Sequence, residues 1–337
     1  MHGKDERMNK RGLGLAAGLS FLGLLCAPAA NAAPDVTIRV VTPFATGHIL
    51  ADAAMKFKEQ VEFKSKGKVA VTVATSVLNE QTINPQMTSC DASQRVGDVM
   101  LTGGQPIQDW APQYFFFNGP YVIEDYDHFQ GVWFSHLGDE ARALMNQNGN
   151  QVTLGTVYRG FRQFTSNEPI LGPADFVGFK LRLPAVPDWV AVWSSLGVQQ
   201  VIVPLSGIYA ALANGTAEGS EGDLTQILSL RLYEVQSHLS LTSHLVGFGL
   251  ATANECFLDG LNQGQENLVV HEMQAATDWA TARMFSLEAG LLAQLQANGM
   301  TVVQPDAGAI RAAAEPAINN LFATKWTVTT WQEVLSY

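Results

Sequence analysis

The sequence predicts an α/β protein of two lobes, with a parallel, helix-covered sheet and one long helix that spans both lobes. Near its start, an alternating strand pattern, a helical pattern and a second strand follow one another, an order typical of parallel sheets. Near its end, a helical pattern runs from about residue 265 to 298, which is long for a helix confined to one lobe. At 337 residues, 47% of them hydrophobic, the chain can bury two such lobes.

The first residues have the organisation of a cleavable signal peptide spanning residues 1–32. Basic residues at the start precede an apolar run from Leu13 to Pro28, and Ala30-Asn31-Ala32 fits a small-x-small cleavage site. A membrane anchor is the alternative, but the run is short for one and is broken at Pro28. Cys26 follows a leucine where a lipoprotein signal requires a small residue, so we expect no lipid anchor.

The mature chain is expected to be a soluble periplasmic protein. No later segment has the ~20 consecutive apolar residues that a transmembrane helix needs. Removing residues 1–32 takes away four basic and two acidic side chains, which moves the net charge from −11 to −13. Such an acidic chain argues against a nucleic-acid partner, because phosphates bind basic surfaces.

Two cysteines, Cys90 and Cys256, remain after the leader. An oxidising compartment permits a disulfide between them. They are far apart in sequence, and two separate buried thiols are the alternative. Two cysteines are too few for a zinc site of the CxxC type.

The first half of the chain has strand patterns on both sides of a helix. The helical spacing begins at His48 and stops at Gly67, residues 81–95 are weakly helical, and 129–147 form a second helix. The predicted strands are Val36–Val41, Val69–Val73, Val99–Thr102, which enters Gly103-Gly104, and Gln151–Tyr158.

The second half begins with two short extended runs, Phe161–Thr165 and Lys180–Leu183. Residues 218–223 are acidic and glycine-rich and are predicted to be a turn. The remaining predicted elements are helices at 187–196, 206–213, 224–236, 265–298 and from Ala307 onward, and strands at 198–203, 239–253 and 301–303.

Common catalytic motifs are missing from the sequence. It contains no GxSxG elbow, no P-loop and no HExxH zinc motif, and Gly247-Phe248-Gly249 lacks the third glycine of a dinucleotide-binding fingerprint. This absence disfavours an enzyme without excluding one. No cofactor or metal is predicted.

Two arginines beside short apolar runs are the positive evidence. If Lys180–Leu183 is a strand, Arg182 shares a face with Lys180, opposite Leu181 and Leu183. A guanidinium matches a carboxylate bidentately and, when buried, requires a counter-charge. That charge could come from a ligand or from a structural acid. Spacing alone favours a structural salt bridge for Arg182, and the same holds for Arg162.

A series of motifs resembles the TRAP transporter solute-binding proteins of the DctP-like family. The central ones are Gly160-Phe161-Arg162, the run from Pro173 to Pro184 and Glu218-Gly219-Ser220-Glu221. Further matches, in the family's order and spacing, are Gly97-Asp98-Val99-Met100, Gly119-Pro120-Tyr121, Ile208-Tyr209-Ala210-Ala211-Leu212 and Tyr233-Glu234-Val235-Gln236. Together they cover nearly the whole mature chain.

The resemblance implies a two-lobed, periplasmic-binding-protein-like (type II) fold. It places residues 33–160 in lobe I, with about 245–280 returning to it, and 161–244 in lobe II, with about 299–337 returning to it. It implies that Arg182 pairs with a ligand carboxylate, that Arg162 assists, and that Glu80 reaches the ligand.

The chain departs from the family forty residues after Arg182. Where the family frequently has an asparagine, this chain has Gly222, followed by Asp223. The ligand site could gain room there, or it could use the backbone or Asp223. Gln226, one helical turn later, could replace the missing amide donor.

Four further residues are candidates for the site, each with a structural alternative. Trp189 could form a wall beside Arg182, although aromatic residues on a helix more often belong to the core. Asn254 and Phe257 follow a predicted strand into a second crossover between the lobes. His48 would begin a helix at the edge of the cleft.

The sequence therefore predicts an extracytoplasmic binding protein, not an enzyme, that holds a small organic acid between two lobes. It would act as a monomer and deliver its ligand to separately encoded TRAP permease subunits. The alternatives are a secreted enzyme that uses Glu80 or Asp223 as a base, and a ligand-sensing subunit of a signalling system.

Overall fold

The computed structural model describes residues 33–337, so the predicted signal peptide and Cys26 lie outside the described residues. Within this range, nine strands form one hydrogen-bonded sheet. The strands are β1 (Val36–Val41), β2 (Val69–Ala74), β3 (Val99–Thr102), β4 (Gln151–Ser166), β5 (Lys180–Leu183), β6 (Gln199–Ile202), β7 (Gly219–Asp223), β8 (His238–Asn254) and β9 (Thr301–Val303).

Helices pack around this sheet. None of the helices formed by residues 33–337 is long and apolar enough to cross a membrane. The helices are α1 (Ile49–Lys64), α2 (Glu80–Ile83), α3 (Gln105–Trp110), α4 (Tyr126–Trp133), α5 (His136–Gly149), α6 (Pro187–Ser195), α7 (Ile208–Ala213), α8 (Leu224–Ser229), α9 (Glu255–Asp259), α10 (Gln263–Ala297), α11 (Ala307–Thr324) and α12 (Trp331–Val334).

The sheet has two parallel halves joined by two long antiparallel strands. Its order is β2-β1-β3-β8-β4-β7-β5-β6, and β9 pairs with β8. In the first sheet half, β1 is parallel to β2 and β3, as the strand–helix–strand opening predicts. In the second sheet half, β5 is parallel to β6 and β7. The strands β4 and β8 run between the halves and pair with each other.

Strand β4 is one continuous element of 16 residues, so the prediction of two separate runs, 151–158 and 161–165, was wrong. The register against β8 shifts at three places, one of them between Tyr158 and Gly160. Gly160 has φ +84°, a conformation that favours glycine. Such a bulge breaks the alternation of side chains, which explains why the sequence pattern is interrupted there.

The long helix α10 has 35 residues and confirms the predicted helix at 265–298. A capping box of Asn262 and Gln265 starts it, and Gly299, with φ +103°, follows its end. It packs against α1 and against β4. Its contact with α1 includes an ion pair of 2.7 Å between Lys64 and the buried Glu272.

The sequence predicted a turn at the acidic segment 218–223, and this prediction was wrong. Residues Gly219–Asp223 form the strand β7, which lies between β4 and β5 and is buried along its whole length. A run with two acids and two glycines has little strand propensity of its own. The segment can be a buried strand because Arg159 and Arg162 on the neighbouring strand β4 neutralise its two acids, which is a tertiary effect.

Two other predicted helices are longer than the helices in the structure. Residues 81–95 contain only the short helix α2 and two 3-10 turns, and 224–236 contain α8 and one 3-10 turn. In contrast, β8 is longer than predicted and extends over 17 residues.

The C-terminal segment contacts several parts of the molecule. β9 pairs with the start of β8, and α11 packs against α6. Two residues that follow α11 also make contacts: the carbonyl oxygen of Val334 lies 2.8 Å from Nε2 of His128, and Tyr337 contacts His136. Residues beyond α11 therefore pack on α4 and α5.

A disulfide joins Cys90 and Cys256, which are separated by 166 residues in sequence. Of the two alternatives that the sequence left open, the structure has the bridged one. The bridge ties the segment after α2 to α9, next to the end of β8.

Replacing both cysteines by serine is expected to lower the free energy of unfolding by about 2–4 kcal/mol, because the bridge restricts the unfolded chain. Urea unfolding of the mature protein without reductant measures this loss. Reductant should lower the stability of the wild type to that of the double variant and leave the variant unchanged. Equal stability of all four samples would contradict the prediction.

Candidate functional site

A polar cavity lies at the carboxyl ends of the parallel strands of both sheet halves. Segments that follow β1, β2 and β3 form one side, and residues on or after β5 and β6 form the other. Open α/β sheets bind ligands at this edge, where the strand order reverses. The empty volume is about 630 Å³, including space open to solvent. Its polar lining includes Glu80, Gln81, Gln105, Asn118, Arg159, Arg162, Arg182 and Gln226.

Arg182 lies on β5 and is 2% exposed. Its Nε donates to the carbonyl oxygen of Val203 at 2.8 Å. Among residues 33–337, its two terminal nitrogens have no hydrogen-bond partner and no carboxylate pairs with it, so the structural salt bridge that spacing favoured is absent. Burial lowers the pKa of Arg182 to about 10, with the charges of Glu221 and Arg162 acting in opposite directions. The guanidinium can therefore receive an anion from the cavity.

Arg162 also lines the cavity, but its charge is already compensated. Its Nε donates to Oε2 of Glu221 at 2.5 Å and its Nη2 to Oε1 at 2.8 Å. Burial would raise the pKa of Glu221, but the charge of Arg162 and hydrogen bonds from His244 and Arg162 outweigh burial and lower it. For Arg162, the structural salt bridge predicted from spacing is therefore present.

A third arginine, Arg159, was missed by the sequence interpretation. Its Nη2 donates to Oδ2 of Asp223 at 2.7 Å, and its guanidinium lies 4.4 Å from the ring centre of Phe44. Burial opposes ionisation of Asp223, but the charge of Arg159 holds its pKa well below the usual range. A signal was present in the sequence, because Arg159 is a basic residue within an otherwise mostly apolar strand pattern.

His48 and Asp223 lie behind the cavity wall and do not line it. His48 caps the N-terminus of α1, where its Nδ1 accepts from the backbone N–H of Leu50 at 3.1 Å. Burial lowers the pKa of His48, so the neutral ring carries its proton on Nε2, 3.6 Å from Oδ1 of Asp223. The ring also stacks on Phe44 with 4.0 Å between centroids. The helix start was predicted correctly, but His48 supports the site from behind.

Glu80 reaches the cavity from the first turn of α2. Its Oε1 accepts hydrogen bonds of 2.6 Å from the hydroxyl of Thr102 and from the backbone N–H of Gly103. Its Oε2 has no hydrogen-bond partner among the described residues. Glu80 is thus held in place by one oxygen and presents the other.

Gly222 does not line the cavity, but it determines where the side chain of Gln226 lies. A Cβ at position 222 would be 2.6 Å from Nε2 of Gln226. The amide of Gln226 occupies this space and donates to the carbonyl oxygen of Glu221 at 3.4 Å. Gln226 lines the cavity, so the geometry agrees with an amide that replaces the side chain missing at 222.

Trp189 forms a wall of the cavity and connects its two sides. It lies on α6, and its ring centre is 5.1 Å from Cζ of Arg162. Its indole N–H donates to the carbonyl oxygen of Asn118 at 2.5 Å, on the first side of the cavity. The core alternative for Trp189 applies only in part, because the ring is buried but borders the cavity.

Asn254 and Phe257 are far from the cavity, contrary to their prediction as site residues. Asn254 caps α9, where its side chain accepts from the N–H of Phe257 and donates to the carbonyl oxygen of Met87 at 2.8 Å. Both residues therefore support the segment around the disulfide. Asn254 is the last residue of β8, and this end of the strand lies at the edge of the sheet opposite to the cavity.

The three arginines face three acids in this region. Arg159 pairs with Asp223, Arg162 pairs with Glu221, and Glu80 is hydrogen-bonded to neutral donors. Arg182 is left as the cation without an acid of its own within residues 33–337. In the same range, no three His, Cys, Asp or Glu side chains are grouped as a metal site. The arrangement thus suits an anionic ligand.

Comparison of the sequence with known proteins finds solute-binding proteins. The sequence model of the family "Bacterial extracellular solute-binding protein, family 7" matches residues 41–325. The chain is 28% identical to a solute-binding protein of Roseobacter denitrificans, over 89% of this chain and 92% of the relative. It is 27% identical to the sialic acid-binding periplasmic protein SiaP of Vibrio cholerae, over 88% of this chain and 91% of the relative.

The fold is likewise that of known structures. The crystal structure of a TRAP periplasmic solute-binding protein from Roseobacter denitrificans, with bound L-galactonate, superimposes with a TM-score of 0.80. It is 25% identical, and the match covers 90% of this chain and all of that one. The predicted two-lobed α/β fold with a long helix is thereby confirmed.

Proposed function

Since the chain belongs to the bacterial extracellular solute-binding proteins of family 7, we propose that it captures a small organic carboxylate and delivers it to a TRAP-type permease. One observation carries this proposal. The guanidinium of Arg182 is buried at the cavity, and no carboxylate among residues 33–337 pairs with it. A ligand carboxylate would supply the missing counter-charge through two parallel hydrogen bonds.

Capture follows from the position of the cavity between the two sheet halves. We propose that the halves belong to two lobes, 33–160 with about 245–280 and 161–244 with about 299–337. Hinge motion in β4 and β8 would open the cavity, and closure would bring Trp189 to Asn118 and exclude water. Excluding water strengthens the ion pair between Arg182 and the ligand. The protein acts as a monomer in the periplasm after removal of residues 1–32.

The relatives support the class of ligand. The Roseobacter denitrificans structure holds L-galactonate and the Vibrio cholerae relative is a sialic acid-binding protein, and both of these ligands are carboxylates. For this chain the proposed role is binding alone. Asp223 is bound to Arg159, and Oε1 of Glu80 is bound to Thr102 and Gly103, so in this proposal neither acid acts as a base.

A thermal-shift screen of mono- and dicarboxylates, keto acids, zwitterions and aromatic acids tests the proposal, because a ligand of the native state raises the melting temperature. Calorimetry then gives the affinity of each hit, and mass spectrometry after incubation shows whether the ligand is unchanged. We expect a carboxylate to bind and to be recovered intact. Conversion of the ligand, or a preference for uncharged solutes, would contradict the proposal.

Gly222→Ala is expected to weaken binding of the carboxylate found in this screen by about tenfold, since the new methyl group displaces the amide of Gln226. Stability should change by less than about 1 kcal/mol, because a flexible side chain moves and no backbone does. Gly290→Ala is the matched control: nothing lies within 4 Å of its Cβ, and it should leave affinity unchanged. Unaltered binding in Gly222→Ala would contradict a ligand contact by Gln226.

A further inference from the structure

A chain of side-chain hydrogen bonds leads from the buried start of β4 to the cavity. At its buried end, Nε2 of Gln151 donates to the backbone carbonyl oxygen of Asn84 at 3.3 Å and to Oδ1 of the same residue at 2.8 Å. The amide nitrogen of Asn84 then donates to Oδ2 of Asp109 at 2.6 Å. Because a backbone carbonyl can only accept, the amide of Gln151 cannot reverse without losing a bond, and this fixes Asn84 as a donor to Asp109.

On the cavity side of Asp109, two glutamines continue the chain. Nε2 of Gln105, one turn earlier on α3, donates to Oδ1 of Asp109 at 2.8 Å. Oε1 of Gln105 accepts from Nε2 of Gln81 at 3.0 Å. Both glutamines line the cavity, whereas Asp109 lies behind them. Oε1 of Gln81 accepts no hydrogen bond from any of residues 33–337, so it is the atom left for a ligand.

Asp109 determines which atom of Gln81 is left. Burial raises the pKa of Asp109, but the hydrogen bonds from Asn84 and Gln105 to its two oxygens oppose this rise and favour the ionised form. An ionised carboxylate has no proton to donate, so Gln105 must turn its nitrogen toward Asp109 and its oxygen toward Gln81. Gln81 must then direct its nitrogen to Gln105, which leaves its oxygen for the cavity.

We propose that Asp109 is a positioning residue that, through Gln105, keeps the amide of Gln81 in the orientation that offers its oxygen to the ligand. This inference rests on the proposed function, in which Arg182 holds the ligand in the same cavity. The ligand would contact Gln81 by donating a hydrogen bond to Oε1 from an O–H or N–H group. Asp109 does not line the cavity, so its effect on binding would come from the direction of the chain.

Asp109→Asn tests this direction, because asparagine has nearly the same shape but carries a donor. Its oxygen can still accept from Asn84, which Gln151 holds in place, so its new nitrogen faces Gln105. Gln105 then reverses, Gln81 reverses after it, and a nitrogen replaces the oxygen at the cavity. All hydrogen bonds of the chain survive, so the melting temperature should change by less than about 3 °C. Affinity for a ligand that donates to Gln81 should fall about 10- to 100-fold.

Two measurements follow the change. NMR spectra of the mature protein with isotope-labelled glutamine report whether the Nε2 protons of Gln81 are hydrogen-bonded or exchange with solvent, and Gln81→Leu assigns these protons by their absence. In the wild type, the proton that faces Gln105 should be protected, and in Asp109→Asn both should exchange rapidly. Calorimetry measures the binding of L-galactonate, sialic acid and the carboxylates found in the thermal-shift screen.

Asp278→Asn is the matched control. Nε2 of Gln274 donates to Oδ1 of Asp278 at 2.8 Å across one turn of α10, the same arrangement as in Gln105 and Asp109, but this pair is exposed and does not line the cavity. The control should leave both the amide of Gln81 and the affinity unchanged.

A second substitution should rescue Asp109→Asn. Gln105→Glu in the Asp109→Asn background keeps the net charge and moves the carboxylate one link toward the cavity. The new carboxylate can accept from the asparagine on one side and from Gln81 on the other. The protected amide of Gln81 and part of the affinity should therefore return. If Asp109 only supported the packing of α3, a second change beside it would restore neither.

The possible results separate this inference from the proposed function. If Arg182→Met abolishes binding of the acids, but Asp109→Asn leaves the amide of Gln81 or the affinity as in the wild type, Asp109 is not a positioning residue and the proposed function stands. An amide of Gln81 that stays reversed in the double variant, or a large loss of melting temperature in Asp109→Asn, would also overturn the inference. If none of the acids binds the wild type, or if Arg182→Met binds them equally well, the proposed function fails and the inference fails with it.

Discussion

Arg182→Met is expected to stabilise the unliganded protein while removing its affinity for carboxylates. Burial of this guanidinium without a paired acid lowers its pKa to about 10. Each pKa unit corresponds to about 1.36 kcal/mol, so Arg182 remains charged at neutral pH but its charged form is about 3 kcal/mol less favourable in the folded protein than in the unfolded chain. Methionine avoids this penalty but loses the hydrogen bond to Val203. The expected net gain in the free energy of unfolding is about 1–2 kcal/mol.

The same substitution should weaken binding of the ligand by about 2–5 kcal/mol, or roughly 30- to several thousand-fold. Calorimetry and urea unfolding of the same preparation measure the two effects. Arg182→Lys should bind poorly as well, because an ammonium cannot form the bidentate pair. A variant that binds with wild-type affinity would contradict the role of Arg182. One that is less stable than the wild type would contradict its description as an uncompensated charge.

The sequence predicted the architecture better than the site. Alternation in β1 and β2, helical spacing in α1 and the uninterrupted helical pattern of α10 are local signals, and the structure confirms each element. β7 has no such signal. Its acids and glycines are typical of a turn, and only the arginines on β4, which is distant in sequence, make it a buried strand.

The same limit applies to the arginines. Arg162 and Arg182 looked alike in sequence, each beside a short apolar run, and spacing favoured a structural salt bridge for both. In the structure Arg162 pairs with Glu221, whereas Arg182 pairs with no acid in the part of the chain that the structure describes. Strand β7 lies between β4 and β5 and pairs with both. Which arginine pairs with an acid of β7 therefore depends on the tertiary structure and cannot be predicted from sequence spacing.

The departure at Gly222 illustrates what the sequence could indicate and what it could not. It showed that a side chain is missing and that Gln226 could replace it. It did not show that Asp223 would face away from the cavity and hold Arg159, since that requires β4 and β7 to be neighbours. In the register of these two strands Arg162 lies opposite Asp223. Arg159, three residues earlier on β4, then donates a hydrogen bond to the carboxylate of Asp223.

Arg162→Met should have the opposite effect on stability from Arg182→Met, although the two arginines line the same cavity. Glu221 is 1% exposed, and removal of Arg162 leaves its charge buried without a cation bound to it. Breaking one partner of a buried pair typically costs about 3–5 kcal/mol. Urea unfolding at neutral pH should show this loss in the unliganded variant. Arg231→Met is the matched control, because Arg231 pairs with Glu234 at the surface and should contribute less than about 1 kcal/mol.

The pH dependence of stability distinguishes this mechanism from a simple loss of packing. In the wild type, the pKa of Glu221 is lowered, so its contribution to stability is present above the unfolded value, about 4.3, and is lost as the pH falls below it. Without Arg162, burial dominates and raises the pKa of Glu221, so the native state takes up a proton first and the deficit shrinks as the pH falls from 7 toward 4. Glu221→Gln in the Arg162→Met background should remove this dependence and recover part of the stability. A deficit that stays constant with pH would show that Arg162 stabilises the protein by packing against Trp189 and not by compensating Glu221.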